Sequence, residues 1–279
     1  MISIALAALG ASPIGVFAAL GEGAFGSWYA CVDTLVKSTP LIFTGLAVSI
    51  AFSGALWNIG ADGQLTIGAI AAGAVGTHLE NFPHVIAVAI ILAAGALGGA
   101  AWGGIAGWLR ARRDVNEVIS TIMLNFVAVQ MLSWMVHGPL MEPSRAYPTS
   151  SPIASAAQLE FYFAPSRLNL GMLLAVVLAA ACYMLLFNTS AGFELRAMGR
   201  NRRAATFFGV RIPSLTVWVM ALTGAMAGLG GAVQVSAISH RLYEKLSPGW
   251  GFEAIAVALV ARLNPIAIPV RKRMPVPVK

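Results

Sequence analysis

Five polar side chains stand inside stretches that are otherwise apolar. Asn58, Asp62 and Gln64 fall within Ser38 to Leu79, where Asp62 is the sole Asp, Glu, Lys or Arg, Asn125 falls within Val118 to Val136, and Glu253 opens Gly251 to Leu263. Amides and carboxylates in such surroundings can hydrogen-bond a polar solute, and a carboxylate can also hold a proton or a cation. Each has a plainer role as well. Asp62 sits either at mid-membrane, where its insertion costs roughly 2.5 to 3.5 kcal/mol, or in a wet interfacial turn. Asn125 can bond a neighbouring helix, and Glu253 can favour a helix N-terminus through the macrodipole. The chain has no metal-ligand spacing, P-loop or nucleophile elbow, so neither a metal site nor enzyme chemistry is expected. Cys31 and Cys182 form no framework.

A second constellation is basic. Phe193 to Ile212 carries Arg196, Arg200, Arg202, Arg203 and Arg211 between two uncharged runs, Leu168 to Phe187 and Pro213 to Ser239, each long enough to cross a bilayer core of roughly 30 Å. An arginine-rich loop between two spans belongs on the cytoplasmic side. Its mixture of arginines with Ala204, Ala205, Phe207 and Phe208 suits a short surface helix that docks on a partner or lies on lipid headgroups.

These residues must be held by membrane helices. Of the 279 residues, 58% are apolar and only 10% charged, against about a quarter charged in a soluble domain. The formal charge of +7 falls in short loops beside apolar spans, which excludes nucleic acid as a partner and reads as orientation in lipid. The expected fold is all-α and polytopic, with about seven transmembrane helices, a terminal half-helix and a cytoplasmic N-terminus. Met1 to Leu20 reads as the end of a first span, and Gly21 to Lys37 as an external loop. Ser38 to Leu79 is about twice the length of one crossing and is broken at Asn58 to Gln64, where two glycines sit among three polar residues. Gly95, Gly99, Gly103 and Gly107 place a stripe on one face of Val85 to Leu109, fit for close helix packing inside the subunit. Arg110, Arg112 and Arg113 mark another cytoplasmic turn, with Glu117 as a pairing partner. His137 to Arg167, with five prolines, and His240 to Trp250 read as external loops. Gly251 to Leu263, about 13 residues, reads as a half-helix.

Four stretches resemble one family. Met198-Gly199-Arg200-Asn201-Arg202-Arg203-Ala204-Ala205 with Phe208-Gly209-Val210-Arg211-Ile212 resembles the coupling loop of permease subunits of bacterial ABC importers. Gly45-Leu46 with Asn58 to Gln64 is similar to the Asn-Ile-Gly-Ala-Glu-Gly-Gln signature of the nucleoside branch, Asp62 replacing glutamate. Ile119 to Asn125, and Trp250 to Leu259 with Leu263-Asn264-Pro265, resemble two further stretches of that branch. The resemblance implies an architecture of the vitamin B12-importer type (type II). It implies a second permease subunit, two ABC ATPase subunits that bind ATP and Mg, and an extracytoplasmic substrate-binding protein, with no cofactor in this chain. It places Arg196, Gly199, Asn201, Ala204, Ala205 and Gly209 in the ATPase-coupling loop, and Asn58, Asp62, Gln64, Asn125 and Glu253 along the substrate path. The expected domain is residues 1–268, with the coupling loop at 193–212 and a basic, proline-rich tail at 269–279. The ends depart from the family, so a shortened permease is expected. Nucleosides are the expected cargo in the bacterial inner membrane, with simple sugars as the alternative. An ion-coupled secondary transporter using Asp62 or Glu253, and a scaffold built on the glycine stripes, are the readings from other classes.

Overall fold

The computed structural model describes residues 12–159 and 169–268. Its helices are α1 (Pro13–Phe25), α2 (Trp28–Ser53), α3 (Ala61–Gly76), α4 (His84–Arg113), α5 (Glu117–His137), α6 (Leu170–Asn188), α7 (Ser190–Arg200), α8 (Arg202–Phe207), α9 (Ile212–Val233) and α10 (Trp250–Val260). Five of these are long and apolar enough to cross a membrane: α2, α4, α5, α6, and α9 with its π-helical extension to Ser239. The seven full helices expected from the apolar runs are thus not all continuous, since α3 has only 16 residues, while α10, with 11, is the short helix expected at Gly251 to Leu263.

The centre is a seam between α4 and α9. The α4 glycine stripe lies buried against α9, whose Gly224 and Gly228 recur at the same four-residue spacing. A Cβ on Gly99 would fall 2.1 Å from the Gly224 carbonyl oxygen, and one on Gly224 would fall 2.2 Å from that of Gly99. The backbones therefore touch directly, a contact that suits apolar surroundings where van der Waals packing drives association. The stripe packs within the chain, as its spacing suggested. On its other side α9 meets α3 just as closely, with Gly231 against the Leu65 carbonyl.

Arg110, Arg112 and Arg113 close α4 at the end where α9 begins, because Gly107 lies against Val217 and Met220 while Gly95 lies against Gly228 and Ala232. This end, which also holds α7 and α8, is called the arginine end below. Arg110 Nε approaches Glu117 Oε2 to 3.1 Å and its Nη1 donates to Asp114 at 2.8 Å, the pairing expected of Glu117.

Three expectations change. Gly21 to Lys37 is not a loop: Ser12 and Ser27 cap α1 and α2, and only a two-residue break separates the helices. Its charges ride on helix surfaces, Lys37 pairing with Asp33 at 2.7 Å. Next, the break expected at Asn58 to Gln64 is displaced, since α2 ends at Ser53 and α3 already starts at Ala61. An acidic first turn and buried tertiary contacts outweigh the weak propensity of its glycine. Finally, His240 to Gly249 does not stay outside. Leu242 packs on Gly73 near the far end of α3, whereas Ser247 reaches Asp62 in its first turn, so the segment descends along α3. Its polar groups find partners on the way: Ser150 exchanges hydrogen bonds with Leu242 at 2.9 Å, and Ser133 donates to Glu244 at 2.8 Å. The segment 269–279, and the parts of the expected first span and external loop at 1–11 and 160–168, lie outside the described residues.

The seam leaves no room for a methyl group. Gly99→Ala or Gly224→Ala should cost about 1 to 3 kcal/mol of stability, read as a lowered thermal midpoint of the detergent-solubilised chain. Gly104→Ala, whose new Cβ would meet its first neighbour at 3.8 Å, should leave that midpoint where it is.

Candidate functional site

Two helices begin deep in the protein, and both begin at Asp62. From Ser53 the chain runs without helix from Leu56 to Gly60 and enters α3, with Asp62 in the first turn. From the opposite end, 240–249 descends and enters α10 at Trp250. Asp62 Oδ1 accepts the Ser247 hydroxyl at 2.6 Å and the Gly251 N–H at 3.0 Å. Gly251 has to be glycine, since a Cβ there would fall 2.1 Å from the Asp62 nitrogen. One carboxylate thus sits at the positive ends of two helix dipoles and satisfies an orphan N–H of one of them.

The depth follows from the partners. Gly63 N donates to Asn125 Oδ1 at 2.8 Å, eight residues past Glu117, and Gln64 lies against Gly103, ten residues before Arg113. At 1.5 Å per residue, Asp62 is roughly 12 to 15 Å from the arginine end, about half a bilayer core. Asp62 is therefore buried well inside the protein, 6% exposed. Non-helical backbone at such depth is tolerated only where protein or a watery cavity covers it.

The other expected residues gather here. Asn58 Nδ2 donates to Gln64 Oε1 at 3.1 Å and to Thr223 Oγ1 at 3.0 Å, and its Oδ1 accepts from Gly60 N and from Gln64 Nε2. Asn125 Nδ2 donates to the Ile59 carbonyl at 2.9 Å. Asn58, Gln64 and Asn125 are therefore buried and spent on pinning the irregular backbone, with Thr223 as a fourth member that its place in an apolar run concealed. Glu253 differs: it is exposed on α10, half a turn beyond Gly251. Among the expected path residues it alone offers its charge to something outside the chain.

The arginine end carries the second part of the site. α7 and α8 form an elbow across the end of α2. A Cβ on Gly199 would fall 2.3 Å from the Ser53 carbonyl, and Leu195 and Met198 close on Gly54. Asn201 caps α8 by accepting from Ala204 N at 3.0 Å, while Ala205 is buried. Gly209 turns the chain with φ +88°, a left-handed conformation that favours glycine. Arg196 points inward, its guanidinium donating to the Leu186 carbonyl and stacking over Phe187 at 4.9 Å. The six loop residues singled out in the sequence thus shape the elbow. Its outward surface is instead Phe207 and Phe208, 87% and 83% exposed and packed edge to face at 5.8 Å, with Arg200, Arg202 and Arg203 of the same elbow also exposed.

Breaking the joint has a predictable cost. Asp62→Ala strips Gly251 N–H and the Ser247 hydroxyl of their acceptor and should destabilise by about 1 to 3 kcal/mol per orphaned group. Asp62→Asn, which keeps one acceptor oxygen, and Ser247→Ala should fall between this and the unaltered chain. Thermal unfolding of the three variants is the measurement, and an Asp62→Ala chain as stable as the original would show that the carboxylate holds nothing.

Residues 30–270 match the family described as branched-chain amino acid transport system / permease component. A guanosine ABC transporter permease protein of Bacillus subtilis is 36% identical, over 88% of this chain and 71% of its own. A glucose ABC transporter permease protein of Haloferax volcanii is 33% identical, over 95% of this chain and 72% of its own. A nucleoside ABC transporter permease protein of Lactococcus lactis subsp. cremoris is 30% identical, over 95% and 76%. No solved structure matches the chain. With the match covering most of its length, this chain belongs to the permease-component family of ABC transporters.

Proposed function

We propose that the chain is the membrane-spanning subunit of an ATP-driven importer of nucleosides. Its arginine end faces the cytoplasm and an ABC ATPase, and the opposite loops face an extracytoplasmic binding protein. The observation that carries the coupling is the contact of the elbow with the end of α2. Gly199 rests on Ser53 and Leu195 on Gly54, and four residues beyond Gly54 the chain enters the network of Asn58, Gln64 and Thr223. A push on Phe207 and Phe208 from an ATPase therefore reaches the Asp62 joint through a short, close-packed path.

In this reading residues 1–268 form one permease domain in the bacterial inner membrane, with the N-terminus cytoplasmic and residues 193–212 as the coupling loop. The segments 54–76 and 240–260 are composite crossings, part extended and part helical, which brings the count to seven from Trp28 onward in an architecture of the vitamin B12-importer type. A second permease subunit covers the open face of α10, and the solute passes between the two with Glu253 at the boundary. Movement of the joint held by Asp62, Asn58, Gln64 and Asn125 changes which side reaches that boundary. The guanosine and nucleoside relatives support nucleosides as cargo. The glucose relative, matching as much of the chain, supports simple sugars as the second reading.

The test is labelled guanosine, uridine, ribose and glucose uptake in cells lacking the gene and in cells resupplied with these 279 residues. Loss and recovery of nucleoside uptake alone is the expected result, and recovery of sugar uptake alone would replace the cargo. Uptake should stop on ATP depletion; persistence with an intact ion gradient would assign an ion-coupled carrier instead. Replacing both Phe207 and Phe208 by Ala should cut uptake by roughly tenfold or more, as loss of aromatic anchors does at interfaces, while leaving the thermal midpoint of the isolated chain unchanged.

A further inference from the structure

At the arginine end, the elbow and α9 border an open cleft of about 400 Å³ lined by Glu194, Gly209, Arg211, Ser214, Leu215 and Trp218. Its chemistry is graded. Glu194 projects from α7 and Arg211 stands at the start of α9, so a fixed negative and a fixed positive charge line one space. Neither belongs to any ion pair among the described residues. Ser214 adds a hydroxyl beside Arg211. Leu215 and Trp218 continue the wall along α9 into the apolar part of the chain, and Trp218 is 42% exposed. Six residues past Ile212, its ring is roughly 9 Å from the start of the helix, the level at which tryptophan marks the boundary of headgroup and acyl chain.

Opposed charges that line one cleft without pairing fit a ligand that carries both signs. A purely anionic headgroup would meet Arg211 but be repelled by Glu194. A choline headgroup would offer Glu194 a cation without an N–H to donate. A primary ammonium beside a phosphodiester satisfies both ends: the ammonium donates to the Glu194 carboxylate, and the phosphate accepts from the Arg211 guanidinium and the Ser214 hydroxyl. The acyl chains then leave over Leu215 and Trp218.

The geometry points to a binding site for a phosphatidylethanolamine-type phospholipid of the facing leaflet, wedged between the elbow and α9. Such a lipid ties Glu194 on α7 to Arg211 at the start of α9. The bilayer thereby becomes a third contact of the elbow, beside α2 and the ATPase. This rests on the arginine end lying at a bilayer surface and is independent of the cargo.

The unaltered full chain, purified in detergent, provides the first test. Soluble short-chain phosphatidylethanolamine, phosphatidylcholine and phosphatidylglycerol are titrated in turn while tryptophan fluorescence is followed, with Trp218→Phe to identify the responding ring. Phosphatidylethanolamine should bind about tenfold or more tightly than either of the others. Glu194→Gln should erase its advantage over phosphatidylcholine, and Arg211→Gln should weaken all three phospholipids. Equal binding of the three by the unaltered chain would overturn the proposal without recourse to any variant. Free phosphoethanolamine binding as tightly as the short-chain lipid would also overturn it, by showing a site for a small solute. None of these readouts involves transport, so failure here leaves the importer reading untouched, and failure of uptake leaves the lipid site standing.

Discussion

The Asp62 carboxylate is the contact on which the interior depends. Two half-helices start back to back deep inside the protein, and each presents N–H groups and a positive dipole end there. Left alone, those ends would repel each other in surroundings with no water to screen them. One negative group placed on α3, accepting from Gly251 and Ser247, converts that repulsion into attachment. The same constraint explains a composition that is unusually polar for a membrane helix. Asn58, Gln64, Asn125 and Thr223 hold the extended stretch that leads to α3, because backbone leaving a helix within lipid needs protein partners for its polar groups.

The seam of α4 and α9 is the counterpart of that polar joint. It contains almost no side chain, and its stability comes from close backbone approach at Gly95, Gly99, Gly224 and Gly228. The polar joint and the glycine seam meet where Gln64 lies against Gly103, so the part held by hydrogen bonds leans on the part held by shape. The elbow at the arginine end leans on the joint from the other side, through Ser53 and Gly54.

Local chemistry made some of this visible in the sequence. The four-residue glycine period needs only helical geometry to be read, and the elbow's arginines need only the charge asymmetry of membrane loops. The helix that starts at Ala61 was hidden because its first turn has poor intrinsic propensity and is rescued by Asn125, 62 residues away along the chain. The descent of 240–249 was hidden for a related reason. Arg241, Glu244 and Lys245 give it the composition of an exposed loop, whereas its neutralising and hydrogen-bonding partners, Glu142 and Ser133, lie about a hundred residues earlier. The role of Arg196 was equally hidden, because its partner, the Leu186 carbonyl at the end of α6, cannot be read from an arginine's place in a basic loop.

A seam without side chains also has no rotamers. Where two helices interlock through leucines, small rotations are absorbed as side chains step between wells. Where Gly99 meets Gly224 and Gly228, backbone lies on backbone and nothing can step, so the two helices behave there as a single bar. Displacement delivered at the arginine end cannot be dissipated within such a bar, so it is concentrated in the stretches that lack helical hydrogen bonds, 54–60 and 240–249. The glycines thereby decide where this protein bends, although none of them lies in the segments that do the bending.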